Sequence, residues 1–455
     1  MNFNSESGEI FQGELKSIKV KENREKKDSR LIEIPFFIIK TKNPNPLPPI
    51  FLLDGGPGDN PSILQEIKSI VPSLYDFTLK SDVVIVEQRG NGLATPNLTC
   101  PGSFNLPLDE PLRIEKFSQV YRDYINGCKE FWQEKSRDLS SYNVISMADD
   151  INDIRKSLNH DKIMLFGGSF GSHHGLTYAK NYPKHVDRIL VDSPEGLTHT
   201  VKLPLNVDRI LKGLSKMVSR DTILNNKIPS FIKMVKRQIQ SLETSPIKVD
   251  VKHPETNEWV QIVVGGYDLQ LITASLLGRK EYRELPYRYL QMQEGDYSWL
   301  AQRAINIRVN QDENLMPVLT DCASGAKADR WLKLKKQSKK AILGDALNSI
   351  RFKVCDSLPN LNLSNELSSD FYTEIPIVLI YGSQDARTPP SNTQDIMKHF
   401  KNAHTIRVKN GSHDLFKEVW DEIKPVMINY LTAPNPKLFS SPAIIEAPVN
   451  FKVHK

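Results

Sequence analysis

The chain has 455 residues, and its 60 Lys and Arg against 54 Asp and Glu give a formal net charge of +6. Hydrophobic residues make up 39% and charged residues 25%, which excludes a disordered chain and supplies enough apolar side chains for a large core. No apolar run reaches the roughly 18–20 residues that cross a bilayer, and the mild charge comes with no nucleic-acid-binding motif. The length allows two or three domains, or one α/β domain with an insertion.

Short apolar runs alternate with amphipathic stretches in the first part of the chain, residues 1–196. The predicted elements are strands at 31–39, 50–53, 83–86, 163–166 and 188–191, and helices at 145–158 and 169–182. Pro35 inside the first run indicates an edge strand, since proline cannot donate to a ladder. Strands that alternate with helices form parallel sheets covered on both faces, so this part predicts an α/β domain.

The pattern changes after about residue 197. The segment 197–350 is mostly helix-patterned and rich in Lys and Arg, notably at 230–242 and 268–303. The α/β alternation then returns, with a strand at 375–381, a helix near 391–400 and a short strand near 404–408. We therefore predict one α/β domain made of residues 1–196 and 351–432, interrupted by a helical cap insertion at 197–350 and followed by an irregular tail at 433–455.

A candidate nucleophile lies in Gly167-Gly-Ser-Phe-Gly171, which follows a predicted strand and opens a helix. This is the context of a G-x-S-x-G nucleophile elbow. The glycines permit a tight turn that exposes the hydroxyl of Ser169, and the helix N-terminus offers N–H groups to a developing negative charge. We predict that Ser169 is a nucleophile rather than part of an ordinary glycine turn.

A serine hydroxyl needs a base, and the base needs an acid that orients it. Asp385 directly follows the 375–381 strand, and His413 follows the last short strand. The order Ser, Asp, His is the one that this elbow accompanies in α/β-hydrolases. We predict that Ser169, Asp385 and His413 form a catalytic triad. The alternatives are that Asp385 caps a turn and that His413 is a surface loop residue.

Three other polar residues compete for these roles. Asp414 could replace Asp385, but its position next to His413 disfavours a good side-chain hydrogen bond. His173 and His174 lie on the helix behind the serine, and we interpret both as packing or surface residues.

Acyl transfer also needs backbone donors for the oxyanion, each worth about 3 kcal/mol of the barrier. One predicted donor is the N–H of Phe170, the residue after the nucleophile. The others are Gly55 and Gly56, in the loop Asp54-Gly-Gly-Pro-Gly58 that follows an earlier strand. The alternative for this loop is a simple β-turn.

Taken together, these motifs resemble the prolyl- and tripeptidyl-aminopeptidase family of serine peptidases, which has the α/β-hydrolase fold. The matching motifs are Gly55-Gly-Pro-Gly58, Glu87-Gln-Arg-Gly-Asn-Gly92, Gly167-Gly-Ser-Phe-Gly-Ser172, Tyr178-Ala-Lys-Asn-Tyr-Pro183, Gly382-Ser-Gln-Asp385 with Thr388-Pro-Pro390, and Gly411-Ser-His413. They run in family order over most of the chain. The run Pro96-Asn-Leu-Thr-Cys100, the later cysteines and the length of the insertion look closest to the tripeptidyl branch.

The resemblance implies that the protein releases an N-terminal amino acid or short peptide through an acyl-enzyme on Ser169. The insertion would form a cap that excludes folded proteins, and no metal or organic cofactor would be needed. An aminopeptidase must also bind the substrate's α-ammonium with carboxylates. Glu195 is the candidate for this role, with Glu313 and Asp321 as further candidates, although each could also be a solvated surface acid.

The sequence departs from the family pattern at three positions. Asp54 stands where the family usually has His, Glu87 where it has Asp, and Ala94 where it has Ser. We interpret these positions as mostly structural, but a negative charge at Asp54 could alter substrate preference.

The four cysteines form no CxxC pair, so a zinc site is not expected. Secreted family members pair their cysteines, which makes a Cys100–Cys128 bridge possible here, and the pairing of Cys322 with Cys355 also stays open. No secretory leader is visible, which favours the cytoplasm, or the periplasm or secretion if a leader was removed.

Three functions compete at this point: a serine aminopeptidase acting on short peptides, a carboxylesterase or lipase-like hydrolase with the same triad, and a catalytically silent binding protein. A lipid substrate would favour a large apolar patch, whereas the 197–350 segment is mixed and charged. The intact Ser-Asp-His set disfavours the silent protein. The residue preference, the number of residues released and the oligomeric state are not predicted.

Overall fold

The computed structural model describes residues 1–58, 61–348, 350–359 and 362–451. In this part of the chain the strands are β1 Asn2–Asn4, β2 Ile10–Lys21, β3 Leu31–Ile39, β4 Ile50–Leu53, β5 Val83–Val86, β6 Ile163–Gly168, β7 Val186–Asp192, β8 Ile247–Lys252, β9 Trp259–Val264, β10 Ile377–Gly382, β11 Ala403–Lys409 and β12 Ile444–Glu446.

The α-helices of the same residues are α1 Ile67–Leu74, α2 Ile114–Glu134, α3 Val144–Ser157, α4 Phe170–Asn181, α5 Pro204–Val218, α6 Leu224–Lys227, α7 Phe231–Thr244, α8 Gly266–Leu277, α9 Leu285–Gln293, α10 Ser298–Arg308, α11 Leu315–Ser324, α12 Ala328–Ser338, α13 Ser364–Leu367, α14 Pro390–Met397, α15 Leu415–Glu418 and α16 Trp420–Thr432. None of these helices combines the length and apolar character that a bilayer crossing requires.

Among the residues that the structure describes, ten strands form one sheet in the order β1-β2-β3-β5-β4-β6-β7-β10-β11-β12. The pairs from β1 to β5 along this order are antiparallel, and every pair from β5 to β12 is parallel. The predicted α/β domain with a mostly parallel sheet is confirmed. The carboxyl ends of β6, β10 and β11 therefore lie at one edge of the sheet, where ligands bind in open α/β folds.

Successive side chains of a strand point to opposite faces of the sheet, and this alternation divides the core into two layers. Ile50 and Leu52 of β4 belong to one buried apolar cluster, together with side chains of α1 and α16. Phe51 and Leu53 belong to the opposite cluster, together with side chains of α3 and α4. Helices therefore cover both faces, as predicted.

The edge position predicted from Pro35 is wrong, because β3 lies between β2 and β5. The carbonyl of Pro35 accepts a hydrogen bond from the N–H of Glu87 at 3.1 Å, and Glu87 lies just past the end of β5. In a strand, the backbone nitrogen and carbonyl of one residue point to the same side. The nitrogen of Pro35 therefore also faces the side of β5. The ladder with β5 starts only at Phe36, so a proline is tolerated here.

The insertion contains more than helices. It has its own apolar core, but β8 and β9 form an antiparallel hairpin inside the segment predicted as helical. The sequence Ile247-Lys-Val-Asp-Val-Lys252 alternates apolar and polar residues, which is a strand signal. The irregular tail at 433–455 also needs correction, because Ile444–Glu446 pairs in parallel with β11. Three residues are too few for a periodic signal.

A fourth cluster joins the sheet domain to the insertion. It combines side chains of α2, which precedes the elbow in sequence, with side chains of α11 and with Phe170. Two disulfides lie in this region, Cys100–Cys128 and Cys322–Cys355. The segment between β5 and α3, which contains α2, thus packs against the insertion.

Candidate active site

Ser169 lies on a sharp turn between β6 and α4. Its backbone has φ 52° and ψ −123°, a region that residues other than glycine rarely adopt and that costs about 1–3 kcal/mol. A Cβ at Gly171 would lie 2.1 Å from the carbonyl oxygen of Leu53, and a Cβ at Gly167 would lie 2.4 Å from the carbonyl oxygen of Gly171. Both glycines are therefore required by the close approach of strand and helix.

Asp385 and His413 meet at the ends of β10 and β11. Nδ1 of His413 lies 2.8 Å from Oδ2 of Asp385, and Asp385 is fully buried. Its other oxygen accepts hydrogen bonds from the backbone N–H groups of Arg387 at 2.8 Å and Thr388 at 2.9 Å. Burial alone would raise the pKa of Asp385, but the charge of His413 and the hydrogen bonds from His413 and Thr388 lower it below its ordinary value.

Ser169 and His413 line the same cavity, which has a volume of about 520 Å³. The structure thus brings all three predicted triad residues to one edge of the sheet. Asp414 faces elsewhere: its carboxylate accepts hydrogen bonds from the backbone N–H of Lys280 at 3.0 Å and from Arg279 at 3.3 Å. That geometry leaves Asp385 as the partner of His413.

His173 and His174 are both buried on α4. Nδ1 of His173 lies 3.1 Å from the carbonyl oxygen of Gly196, and burial lowers the pKa of His174 to about 4. Of the two interpretations that the sequence allows, the structure supports packing residues over surface residues.

The loop that carries Gly55 and Gly56 is held by Gln88. Its side-chain amide donates to the carbonyl of Gly55 at 2.8 Å and to that of Asp54 at 3.2 Å, and its oxygen accepts from the N–H of Gly58 at 3.0 Å. The Gly-Gly-Pro-Gly and Gln-Arg-Gly motifs are therefore two halves of one local structure.

The predicted oxyanion donors differ in their surroundings. The N–H of Gly55 donates to Oδ1 of Asp54 at 2.8 Å, so this donor is engaged within the loop and could serve an oxyanion only if that bond breaks. Phe170 is the first residue of α4, where N–H groups have no intrahelical acceptor. Gly56 lines a second cavity together with Ser169.

The departures from the family pattern at Glu87 and Asp54 have local structural roles. Glu87 accepts a hydrogen bond from the hydroxyl of Ser62 at 2.6 Å, and burial raises its pKa to about 7. Oδ2 of Asp54 accepts from the N–H of Ile63 at 3.1 Å.

Arg89, two residues after Glu87, is fully buried. Its guanidinium binds both oxygens of one carboxylate, that of Asp150, at 2.7 and 2.6 Å.

A second cavity, of about 330 Å³, also reaches Ser169 and is lined by residues of both the sheet domain and the insertion. We call it the acidic cavity, because its wall holds the three carboxylates that the sequence analysis singled out. They are Glu195, Glu313 and Asp321. Three cations also line the cavity and were not predicted: Lys202, Arg351 and Arg387.

Ion pairs organise the acidic cavity. Lys202 lies 2.5 Å from Glu195, and Arg351 lies 3.0 Å from Glu313 and 3.2 Å from Asp321. A carboxylate can accept about four hydrogen bonds, so these pairs leave room for a further cation.

The charged groups in the acidic cavity shift one another's pKa. Burial would raise the pKa of Glu195, but Lys202 and the charges of His173 and His199 together outweigh burial and lower it to about 2. Burial dominates at Asp321 and raises its pKa to about 6, although Arg351 opposes the shift. The cavity therefore keeps Glu195 ionised over the whole neutral range.

Comparisons with known proteins agree with this architecture. The family described as "alpha/beta hydrolase fold" matches residues 48–243, which include the elbow. The family described as "TAP-like protein" matches residues 340–437, which include Asp385 and His413. The α/β-hydrolase fold predicted from the sequence is confirmed.

Among curated proteins, tripeptidyl aminopeptidases of Streptomyces coelicolor and Streptomyces lividans are each 30% identical over 148 residues. The match covers 30% of this chain and 27% of either relative. A solved α/β hydrolase from a deep-sea metagenome library is 11% identical, with a TM-score of 0.39 over 89% of this chain and 95% of that one. The predicted resemblance to prolyl and tripeptidyl aminopeptidases is confirmed.

Proposed function

The chain is an α/β hydrolase that resembles tripeptidyl and prolyl aminopeptidases, and from this premise we propose that it is a serine aminopeptidase. It would release an N-terminal amino acid or a di- or tripeptide from short peptides through an acyl-enzyme on Ser169. The observation that carries the proposal is the acidic cavity, in which three carboxylates surround a space that Ser169 also lines.

The chemistry needs only the groups of the chain and water. His413 takes the proton of Ser169 as the hydroxyl oxygen attacks the scissile carbonyl, while Asp385 stabilises the imidazolium through Nδ1. The amides of Phe170 and Gly56 stabilise the oxyanion. His413 then gives its proton to the leaving amine, the C–N bond breaks, and a water molecule activated by His413 hydrolyses the acyl-enzyme.

The acidic cavity supplies the selectivity for a free N-terminus. An α-ammonium is a compact cation with three donors, and buried carboxylates bind such a group through charge-assisted hydrogen bonds. An N-acetylated terminus has lost both the charge and two of the donors. An acetylated terminus in the acidic cavity would place no ammonium group beside carboxylates such as Glu195.

The decisive experiment compares free and N-acetylated aminoacyl- and tripeptidyl-coumarin amides with short p-nitrophenyl esters. We expect kcat/KM for the free amides to exceed that for the acetylated amides by about 30- to 150-fold, because one charged hydrogen-bonded contact is worth about 2–3 kcal/mol. Ser169→Ala should abolish every activity. Equal turnover of blocked amides, or turnover of esters alone, would instead identify a carboxylesterase.

A second experiment tests the carboxylates themselves. Glu195→Gln and Glu313→Gln should raise KM for free amides and bring the ratio of free to acetylated turnover closer to one. Glu258→Gln is the matched control, because Glu258 is an exposed acid in the hairpin of the insertion. If all three variants keep the wild-type ratio, the acidic cavity does not bind the N-terminus.

A further inference from the structure

Resting on the proposed function, we propose that the 520 Å³ cavity is the subsite for the leaving part of the substrate and takes a large apolar or aromatic residue directly after the scissile bond. We call it the aromatic cavity, because Phe166, Phe416 and Trp420 line it together with Ser169 and His413.

The wall of the aromatic cavity is a continuous aromatic surface. The ring centroids of Phe166 and Phe416 are 6.2 Å apart, and those of Phe416 and Trp420 are 5.1 Å apart. Phe416 is 42% exposed, which is unusual for a phenylalanine that lies next to a buried cluster. Ile70 and Leu74 of α1 add aliphatic surface.

Two of the three acidic side chains that line the cavity have partners elsewhere, and the third is buried. Glu6 lies 2.9 Å from Lys424, Asp54 accepts the amides of its own loop, and Asp192 is buried at the end of β7. The volume is within the range of small-molecule sites. A bulky apolar residue therefore fits this cavity better than a charged one does.

The direction of the substrate follows from proton transfer. His413 must donate its proton to the leaving amine, so the leaving residue has to lie on the side of the serine that His413 faces. His413 lines the aromatic cavity. The carboxylates that would hold the substrate's α-ammonium lie in the acidic cavity. The acyl part would therefore occupy the acidic cavity and the leaving part the aromatic cavity, with Ser169 lining both.

The first test uses unblocked peptides that differ only in the residue after the scissile bond. We expect kcat/KM for Phe or Leu at this position to exceed that for Gly or Asp by at least about 10-fold. Phe416→Ala should reduce this preference at least threefold, and Phe416→Leu should retain more of it. Tyr372→Ala is the control, because Tyr372 is also an exposed aromatic residue, 68% exposed, but does not line the cavity.

The second test separates this proposal from the proposed function. An acyl-enzyme formed from a p-nitrophenyl ester is offered phenylalaninamide or glycinamide in place of water. The amine nitrogen attacks the acyl carbon, a C–N bond forms, the ester bond to Ser169 breaks, and His413 carries the amine proton to the serine oxygen. This reaction is deacylation alone, so it reports on the leaving subsite of wild-type enzyme even if peptides are not cleaved.

Preferential transfer to phenylalaninamide, lost in Phe416→Ala, supports the aromatic cavity as the leaving subsite. Equal transfer to both amines would overturn it. It would also be overturned if the loss of kcat/KM in Phe416→Ala depended on the residue before the scissile bond rather than on the residue after it. If transfer prefers phenylalaninamide but no free amide is hydrolysed, the subsite stands and the aminopeptidase proposal fails.

Discussion

Thr388 donates its hydroxyl hydrogen bond to Oδ2 of Asp385 at 2.6 Å. This is the same oxygen that faces Nδ1 of His413, and the hydroxyl oxygen of Thr388 lies 3.2 Å from that nitrogen. Thr388 thus fixes the carboxylate against the imidazole and helps to keep the pKa of Asp385 below its ordinary value, despite burial and together with His413.

We expect Thr388→Val to lower kcat about tenfold with little change in KM, because the variant leaves a buried carboxylate oxygen with one hydrogen bond fewer. The raised pKa of Asp385 should also move the acidic limb of the kcat profile to higher pH. Thr388→Ser keeps the hydroxyl and should restore both properties. A valine variant with the wild-type pH profile would show that Thr388 only packs against the site.

The backbone of Ser169 leads to a prediction about stability. Glycine adopts positive φ without a steric penalty, so Ser169→Gly should relieve strain that Ser169→Ala retains. We expect the free energy of unfolding of the glycine variant to exceed that of the alanine variant by about 1–2 kcal/mol, measured in urea.

Ser241 provides the control for this comparison. It is an exposed residue of α7, where alanine is favoured over glycine by about 1 kcal/mol. The sign of the glycine–alanine difference should therefore reverse at this position. If glycine destabilises both sites equally, the turn at Ser169 stores no strain.

Much of the sheet could be predicted from the sequence, because its central strands are short, fully apolar runs bounded by glycine or polar residues. Val83–Val86 and Ile50–Leu53 agree with the structure at both ends. The position of Pro35 could not be inferred, because whether a missing N–H matters depends on where the neighbouring strand ends. The β8–β9 hairpin had a visible alternating pattern, and the surrounding helical patterns obscured it.

The candidate site also contains residues that the sequence predicted and residues that it did not. Ser169, Asp385 and His413 each follow a strand of one parallel sheet, so chain order and periodicity were sufficient to place them at one edge. Lys202 and Arg351 could not be found, because their pairing with carboxylates depends on how the insertion packs. Thr388 belonged to a recognisable motif, but its hydrogen bond to Asp385 depends on how the loop after β10 folds, which the motif does not specify.

Asp192 leads to a prediction about pH. It is buried at the end of β7, and burial, with a smaller contribution from the charge of Asp385, raises its pKa to about 7 from 3.8. Between these values the folded chain keeps a proton that the unfolded chain has lost. The free energy of unfolding therefore falls as pH rises through this window, and the penalty is complete above pH 7.

Asp192→Asn has no proton to lose, so its stability relative to wild type should rise between about pH 4 and pH 7. Each pKa unit corresponds to about 1.4 kcal/mol, which predicts a change on the order of 2–4 kcal/mol. Chemical denaturation at several pH values measures it. A difference between the two proteins that does not vary with pH would show that Asp192 is ionised in the folded state throughout.

The Cys322–Cys355 bridge leads to the last prediction. It joins α11, which carries Asp321, to Cys355, which lies two residues past the turn Ile350–Lys353 that carries Arg351. The two cysteines are 33 residues apart, so removing the bridge should cost about 3–4 kcal/mol of stability. The structure pairs all four cysteines, so we expect no cysteine thiol to titrate in denaturant without reductant.

We expect the Cys322→Ala/Cys355→Ala double variant to raise KM for free tripeptidyl amides about five- to tenfold, because Arg351 loses the constraint that aims it at Glu313 and Asp321. Cys100→Ala/Cys128→Ala is the control, since its loop is of similar length, 28 residues. It should lose comparable stability with a smaller change in KM. The same KM in both variants would mean that the bridge stabilises the fold without organising the acidic cavity.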